Sequence, residues 1–399
     1  MFESFQLRDF RWLWVSTFAH AMAMGMQMMA RGWLVLRLSN DSPLALSLIM
    51  VSFSLPLSFM SLIGGALADR VQRKHIIIAA QVGCVFMTTL LAVLDMTGLV
   101  KLWHLVAIGA INGSLMAIIM PSRQAIISDL VPPEALMNAI SLNNSGMNLT
   151  RVIGPALAGV LIVFIDTAGV FYLISAVYVF SLLAMAVVRA PTMQRKSQET
   201  GMVKDISTGL KYVVKDPVLL GLVITLFMPV FFGFSLLFLL PAWAREVMDM
   251  QSEGIGILMM VMGAGSLAGS LILAASHNLG KRGVLLLING VFWGCAITIF
   301  SQSTTYIAAL PLLFIVGLMT GVFMPLHMTL MQVYSSREMR GRIMSLAMMS
   351  FGATPLSALP FGAIAEKIGT PGALSISGLM MAFFTVIFAV VYPKFRKIG

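Results

Sequence analysis

The sequence predicts an all-α polytopic membrane protein whose twelve transmembrane helices form two six-helix bundles. Three observations carry this reading. Of the 399 residues, 59% are hydrophobic and only 11% are charged, and the mean hydropathy is +0.93. Twelve apolar runs along the chain are long enough to cross a hydrocarbon core of about 30 Å. The last six runs repeat features of the first six.

The runs fall near 12–38, 43–68, 75–95, 101–121, 139–165, 168–188, 217–242, 254–276, 283–301, 306–333, 342–365 and 371–393. Trp12 and Trp14 open the first, and Trp33, Trp103 and Trp243 stand near opposite ends of their runs, as interfacial belts require. Met1–Arg11 carries charges of both signs and the run after it is too long for a signal-peptide core, so the first helix is expected to remain as an anchor. Cys84 and Cys295 lie mid-run in the third and ninth segments, which argues against a disulfide framework or a thiolate metal site. The long polar stretch 189–216 reads as a cytoplasmic linker between bundles at 1–188 and 217–399.

Basic residues set the orientation. With the amino terminus inside, 20 Lys and Arg fall in inner segments, Arg123 among them, against Arg37, Lys101, Arg245 and Lys367 outside. This asymmetry places both termini in the cytoplasm. It accounts for the net charge of +10 as a topology signal, so no nucleic-acid partner is implied. A multi-pass protein of a bacterial-type plasma (inner) membrane, monomeric in the lipid bilayer, is expected.

The halves match in order. Ser61-xxx-Gly65 corresponds to Gly265-xxx-Gly269, MPSR at 120–123 to MPLH at 324–327, and EALMNAISL at 134–142 to EMRGRIMSL at 338–346, all at an offset of 204; Gly109-xxx-Gly113 corresponds to Gly317-xxx-Gly321 at 208. Small-xxx-small spacing alone reflects close helix packing. Four matches in one order indicate a duplicated six-helix unit, the parallel-repeat plan of major facilitator transporters.

The loop GGALADRVQRKH at 64–75 strengthens that resemblance. It is similar to the major facilitator signature between the second and third helices: Gly65, Leu67, Ala68, Asp69, Arg70, Arg73 and Lys74 match, and Gln72 replaces a glycine. The stretch 121–159 resembles the drug and siderophore exporter branch, with Gly154, Pro155 and Gly159 approximating the antiporter motif of the fifth helix. The arginine usual in the fourth helix of drug:proton antiporters is missing, Gly109 standing in its place. The resemblance implies a gating latch of Gly65, Asp69, Arg70, Arg73 and Lys74 against the start of the eleventh helix at Arg340 and Arg342, with Asp129 and Glu134 as partners for the basic loop ends.

Two polar stripes interrupt the spans. At about 100° per residue, His20, Met24, Gln27 and Arg31 share a narrow arc of the first helix, and Asn144, Asn148 and Arg151 share one of the fifth. Both are read as lining a substrate path. Arg31 could instead snorkel to the outer headgroups beside Trp33, Arg151 could tie to a carbonyl, and the asparagines could bond neighbouring helices. By position, all sixteen acids lie in loops or at membrane edges, so the interior should be positive and favour an anionic ligand. His20 is a proton-coupling candidate, because its ordinary pKa of about 6.5 lies in the physiological range; Asp69 and Glu134 are the others. Met22, Met26 and Met29 oppose the polar arc, so alternating methionines in this helix do not assemble a copper site. Neither a metal nor a cofactor is called for, and no catalytic residues are assigned.

A proton-driven exporter of amphipathic small molecules is therefore expected. A facilitator or importer of a small anionic metabolite is the alternative, and a non-transporting membrane receptor a distant third. No enzyme is expected.

Overall fold

The computed structural model describes residues 3–189, 210–276, 280–336, 339, 343, 347, 350 and 353–398, with side chains outside the description at 3, 61–70, 133, 355, 356 and 397. Helices dominate throughout. They are α1 (Arg8–Ser39), α2 (Pro43–Arg70), α3 (Arg73–Met96) and α4 (Leu102–Leu130), followed by the helical run Pro133–Val187. Asp166 breaks that run with φ 58° and ψ 174°, giving two spans, α5 before it and α6 after it. Then come α7 (Pro217–Met228), α8 (Ser235–Met248), α9 (Ser252–Ala275), α10 (Arg282–Ser301), α11 (Tyr306–Val333), α12 (Pro355–Ile368) and α13 (Thr370–Val391).

Local chemistry sets the ends. Asn40 closes α1 in the left-handed region, and Asp216 caps α7 by accepting from Val218 and Leu219 N–H at 2.8 and 3.1 Å. Between α7 and α8, Pro229 lacks an amide proton and the chain widens into a π turn, Pro229–Gly233, so the two helices form one interrupted span. The halves of the run broken at Asp166, this joined span and the other apolar helices follow the expected succession of spans, except that most of the first half of the run expected at 342–365 lies outside the described residues.

Two compact units result. The first is 1–41, 52–198 and 250–260; the second is 42–51, 199–249 and 261–399. Most of the expected linker, 190–209, lies outside the described residues; within the described ones, small residues explain why the starts of α2 and α9 group with the opposite half of the chain. A Cβ on Gly159 of α5 would lie 2.5 Å from Ser252 O and 3.0 Å from Gly256 Cα, so the start of α9 packs into the first unit. Gly362 of α12 meets Ser47 in the same way, and Glu366 accepts from Ser42 Oγ at 2.9 Å, so the start of α2 packs into the second.

Within the first unit α1 is buried on nearly all sides. Its crossing with α5 is backbone on backbone: a Cβ on Gly154 would stand 3.1 Å from Gly25 Cα and 3.2 Å from Met26 N. Phe10, Leu13, Ile77, Ile126, Ala139 and Met185 form a core at the end of the unit where the chain begins.

Candidate functional site

The polar arc of α1 points into the first unit. Gln27 Nε2 donates to Thr88 Oγ1 of α3 at 2.9 Å, and the Tyr178 hydroxyl of α6 donates to Gln27 Oε1 at 3.1 Å. The His20 ring lies 5.2 Å from the Tyr178 ring at 56°, with Nε2 3.3 Å from Met116 Sδ of α4. Lower on the same face, Ser16 Oγ donates to Ser181 O at 2.8 Å, and Gln81 Nε2 of α3 donates to Ser181 Oγ at 2.6 Å. Four helices thus converge on one polar track.

Two guanidinium groups sit in this track. Arg31 and Arg123 are each 7% exposed, and among the described residues neither has a carboxylate within ion-pair distance. Arg123 Nη1 donates to Thr17 Oγ1 at 2.7 Å and Nη2 to Ser16 Oγ at 3.2 Å. Among the described residues, Nε and Nη2 of Arg31, Nε of Arg123, Nδ1 of His20 and Nδ2 of Asn112 are buried with no hydrogen-bond partner. In low dielectric such donors are costly unless an acceptor visits them.

Arg123 corrects the sequence reading. Position along the chain puts it in an inner loop, but α4 continues through Pro121 to Leu130 and carries it inside. Arg31, for its part, does not snorkel to an exposed position. At the opposite end of the unit, Arg37 pairs with the buried Asp95 and reaches Asp166 at 3.2 Å, while Thr167 Oγ1 also donates to Asp95. This acid is therefore spent on a local tie.

The seven predicted path residues fall into two groups. His20, Gln27 and Arg31 are enclosed within the unit; Met24, Asn144 and Arg151 are exposed and Asn148 is half-buried. Periodicity finds the arc but not the helices it faces.

Of the predicted latch, Arg73 Nη1 binds Asp129 at 2.6 Å and donates to Ala125 O at 3.1 Å. Lys74 Nζ donates to Ala186 O and Val188 O, both at 2.7 Å, at the end of α6. Glu134 is exposed in the first turn of α5. The side chains of Gly65, Asp69 and Arg70, and all of Arg340 and Arg342, lie outside the described residues. Gly154 and Gly159 serve the close crossings with α1 and α9, and Pro155 Cδ lies 3.4 Å from a Cβ built on Gly25.

The duplication is visible in side-chain roles. His327 of α11, the counterpart of Arg123 at the offset of 204, is fully buried and its Nε2 lies 2.7 Å from Leu222 O of α7. Arg123 ties α4 to the first helix of its half, and His327 ties α11 to the first helix of the other. Tyr178, Thr88, Gln81 and Asn112 carry only a weak signal in the sequence: each is one of a few uncharged polar groups in an apolar span, although Gln81 and Thr88, seven residues apart, share a face of α3. The match of MPSR to MPLH is the one signal that could have promoted Arg123.

This helical architecture, duplicated and built around buried cations in apolar spans, is that of a major facilitator transporter, a multi-pass membrane protein. The crystal structure of the peptide transporter POT aligns with a TM-score of 0.79 at 13% identity, over 98% of this chain and 95% of that one. The chain belongs to the family described as transmembrane secretion effectors, whose profile matches residues 1–397. It is 25% identical over 397 residues to the multidrug efflux pump Tap of Mycolicibacterium fortuitum, covering 94% of this chain and 93% of that protein. It is 24% identical over 341 residues to the enterobactin exporter EntS of Shigella flexneri, covering 84% and 80%.

Proposed function

We propose that this transporter is a proton-driven exporter of amphipathic small molecules bearing an acidic group, working by alternating access in a bacterial plasma membrane with both termini in the cytoplasm. The observation that carries the reading is the pair Arg31 and Arg123, buried without a carboxylate and with donors unmet. A relative that exports a siderophore and one that exports drugs support the direction and the substrate class. Met24, Asn144, Asn148 and Arg151 line the path, and His20, Gln27 and Arg31 set the potential behind it. The halves 1–188 and 217–399 rock as bodies. The latch Gly65, Asp69, Arg70, Arg73 and Lys74, with Asp129 and Glu134, holds Arg340 and Arg342. His20, Asp69 or Glu134 carries the proton.

The test is uptake of a labelled catecholate siderophore into everted membrane vesicles energised by a proton gradient. Uptake that a protonophore abolishes, and that Arg31→Ala and Arg123→Leu each reduce at least tenfold, is expected. Uptake insensitive to the protonophore would instead favour a facilitator of small anionic metabolites, which the same buried arginines also suit. Uptake independent of both arginines would overturn the assignment of the site.

A further inference from the structure

Where the second unit ends, the chain folds back onto it. After α13 the 3-10 turn Pro393–Lys397 carries Phe395 into the unit, fully buried and edge-on to Phe388 with ring centroids 5.2 Å apart. Gly283 N–H donates to Ile398 O at 2.9 Å, and a side chain at Gly283 would strike Phe395 O. The Tyr392 hydroxyl donates to Pro217 O at 2.8 Å. These contacts fix the exposed Lys394 and Arg396 near the start of α10, where Lys281 is exposed and Arg282 half-buried. Asp216, the acid adjoining Pro217, is engaged in capping α7.

Between α10 and α13 lies an apolar groove of about 290 Å³, lined by Ile288, Val291, Phe292, Val386 and Val390, with Arg396 in its wall. Phe292 is 62% and Val390 64% exposed. On apolar spans, such faces meet hydrocarbon. Arg396 donates to Ala389 O from Nε at 2.8 Å and from Nη2, which pins the guanidinium at the groove while leaving its other N–H donors. Oily wall and basic mouth together have the two-part chemistry of a phospholipid.

We propose that this groove seats an acyl chain of an anionic phospholipid from the leaflet on the side of the carboxyl terminus, its phosphate held by Arg396, Lys394 and Lys281. Charge complementarity selects this occupant over a zwitterionic lipid, because basic pockets between membrane helices favour anionic headgroups. The site is separate from the polar track of the first unit and does not depend on which molecule is transported.

Native mass spectrometry of the full chain decides it, using phosphatidylglycerol and phosphatidylcholine with identical acyl chains, and glycerol 3-phosphate as a competitor without chains. The parent should retain phosphatidylglycerol at least tenfold better than phosphatidylcholine, and glycerol 3-phosphate should not displace it. Lys281→Gln with Lys394→Gln should bring retention down to the phosphatidylcholine level. Val291→Trp, which fills the groove, should lower retention of both lipids while the basic residues stay. Equal retention of the two lipids by the parent, or an unchanged preference in the charge variant, overturns the proposal. Displacement by glycerol 3-phosphate at equal concentration would leave an anion site without an acyl seat, and overturns it as well. Should the charge variant fail to fold, undiminished retention by Val291→Trp is sufficient refutation.

Discussion

Arg123 donates to the hydroxyl of Thr17 over 2.7 Å, so a full cation inside the first unit is held, among the described residues, by neutral oxygens. Thr17 also donates to Leu13 O and Ser16 to Ser181 O, so both hydroxyls keep partners if the guanidinium is removed. Replacing a buried ion pair by hydrophobes of similar volume is often neutral or stabilising by about 1–4 kcal/mol, and a buried cation with no carboxylate partner among the described residues has still less to lose. Arg123→Leu should therefore melt at or above the parent temperature, yet bind an acidic substrate at least tenfold more weakly, about 1.4 kcal/mol. Arg123→Lys keeps the charge without the fork and should fall between. Parallel thermal unfolding and binding titrations check this; full affinity in both variants would return Arg123 to a packing role.

The crossing of α1 and α5 has no side chain that can yield, because Gly154 faces the backbone of Gly25 and Met26. Gly154→Ala should cost about 1–3 kcal/mol by overpacking, and Gly154→Leu should fail to give folded protein. At Gly280 a Cβ would meet none of the described residues within 4 Å, and the backbone there is not left-handed. Gly280→Ala should stay within about 0.5 kcal/mol of the parent. Thermal unfolding of the purified variants separates the two sites.

Arg73 and Asp129 are 19% and 34% exposed, so solvent screens their attraction. Asp129→Asn should cost no more than about 1 kcal/mol, and the difference should shrink in 1 M salt. Lys74→Met removes two bonds to the last carbonyls of α6, a loss of about 0.3–1 kcal/mol. A stability loss of several kcal/mol from either, measured by thermal unfolding, would mean these residues do more than close loop ends.

His20 touches Met116 and Tyr178 and leaves Nδ1 unpartnered. If it carries the coupled proton, adding substrate to unbuffered parent protein should move protons, and adding it to His20→Gln should not, because linkage is reciprocal. Equal proton movement in both would transfer the role to Asp69 or Glu134.

The succession of spans was legible because a long unbroken apolar run has few other uses, and the break at Asp166 fell where the fifth and sixth runs met. The end of α4 was not. Pro121 and the polar SRQ after it read as a loop, although Ile126 and Ile127 continue the buried face, and a membrane helix tolerates proline where neighbours satisfy the freed carbonyl. The arc His20, Gln27, Arg31 was legible from spacing; its surroundings were not, since one helix specifies a face and not the helices that cover it. Tyr178 and Thr88 stand among Ser175, Ser181, Gln81 and Thr89, uncharged groups that membrane helices also use for ordinary packing, so neither marks a site by itself.

The polar track also constrains how the protein is made. Arg31 emerges in the first span, but Tyr178 and Ser181, which complete the track around it, belong to α6 and are synthesised only after four further spans. An arginine within a span opposes insertion by up to about 2.5–3.5 kcal/mol at the span's centre and by less towards its ends, so α1 is expected to be a weakened anchor until α6 covers the track. A nascent chain cut short before Asp166 should therefore leave α1 within reach of the insertion machinery and of proteases, whereas one that includes α6 releases it.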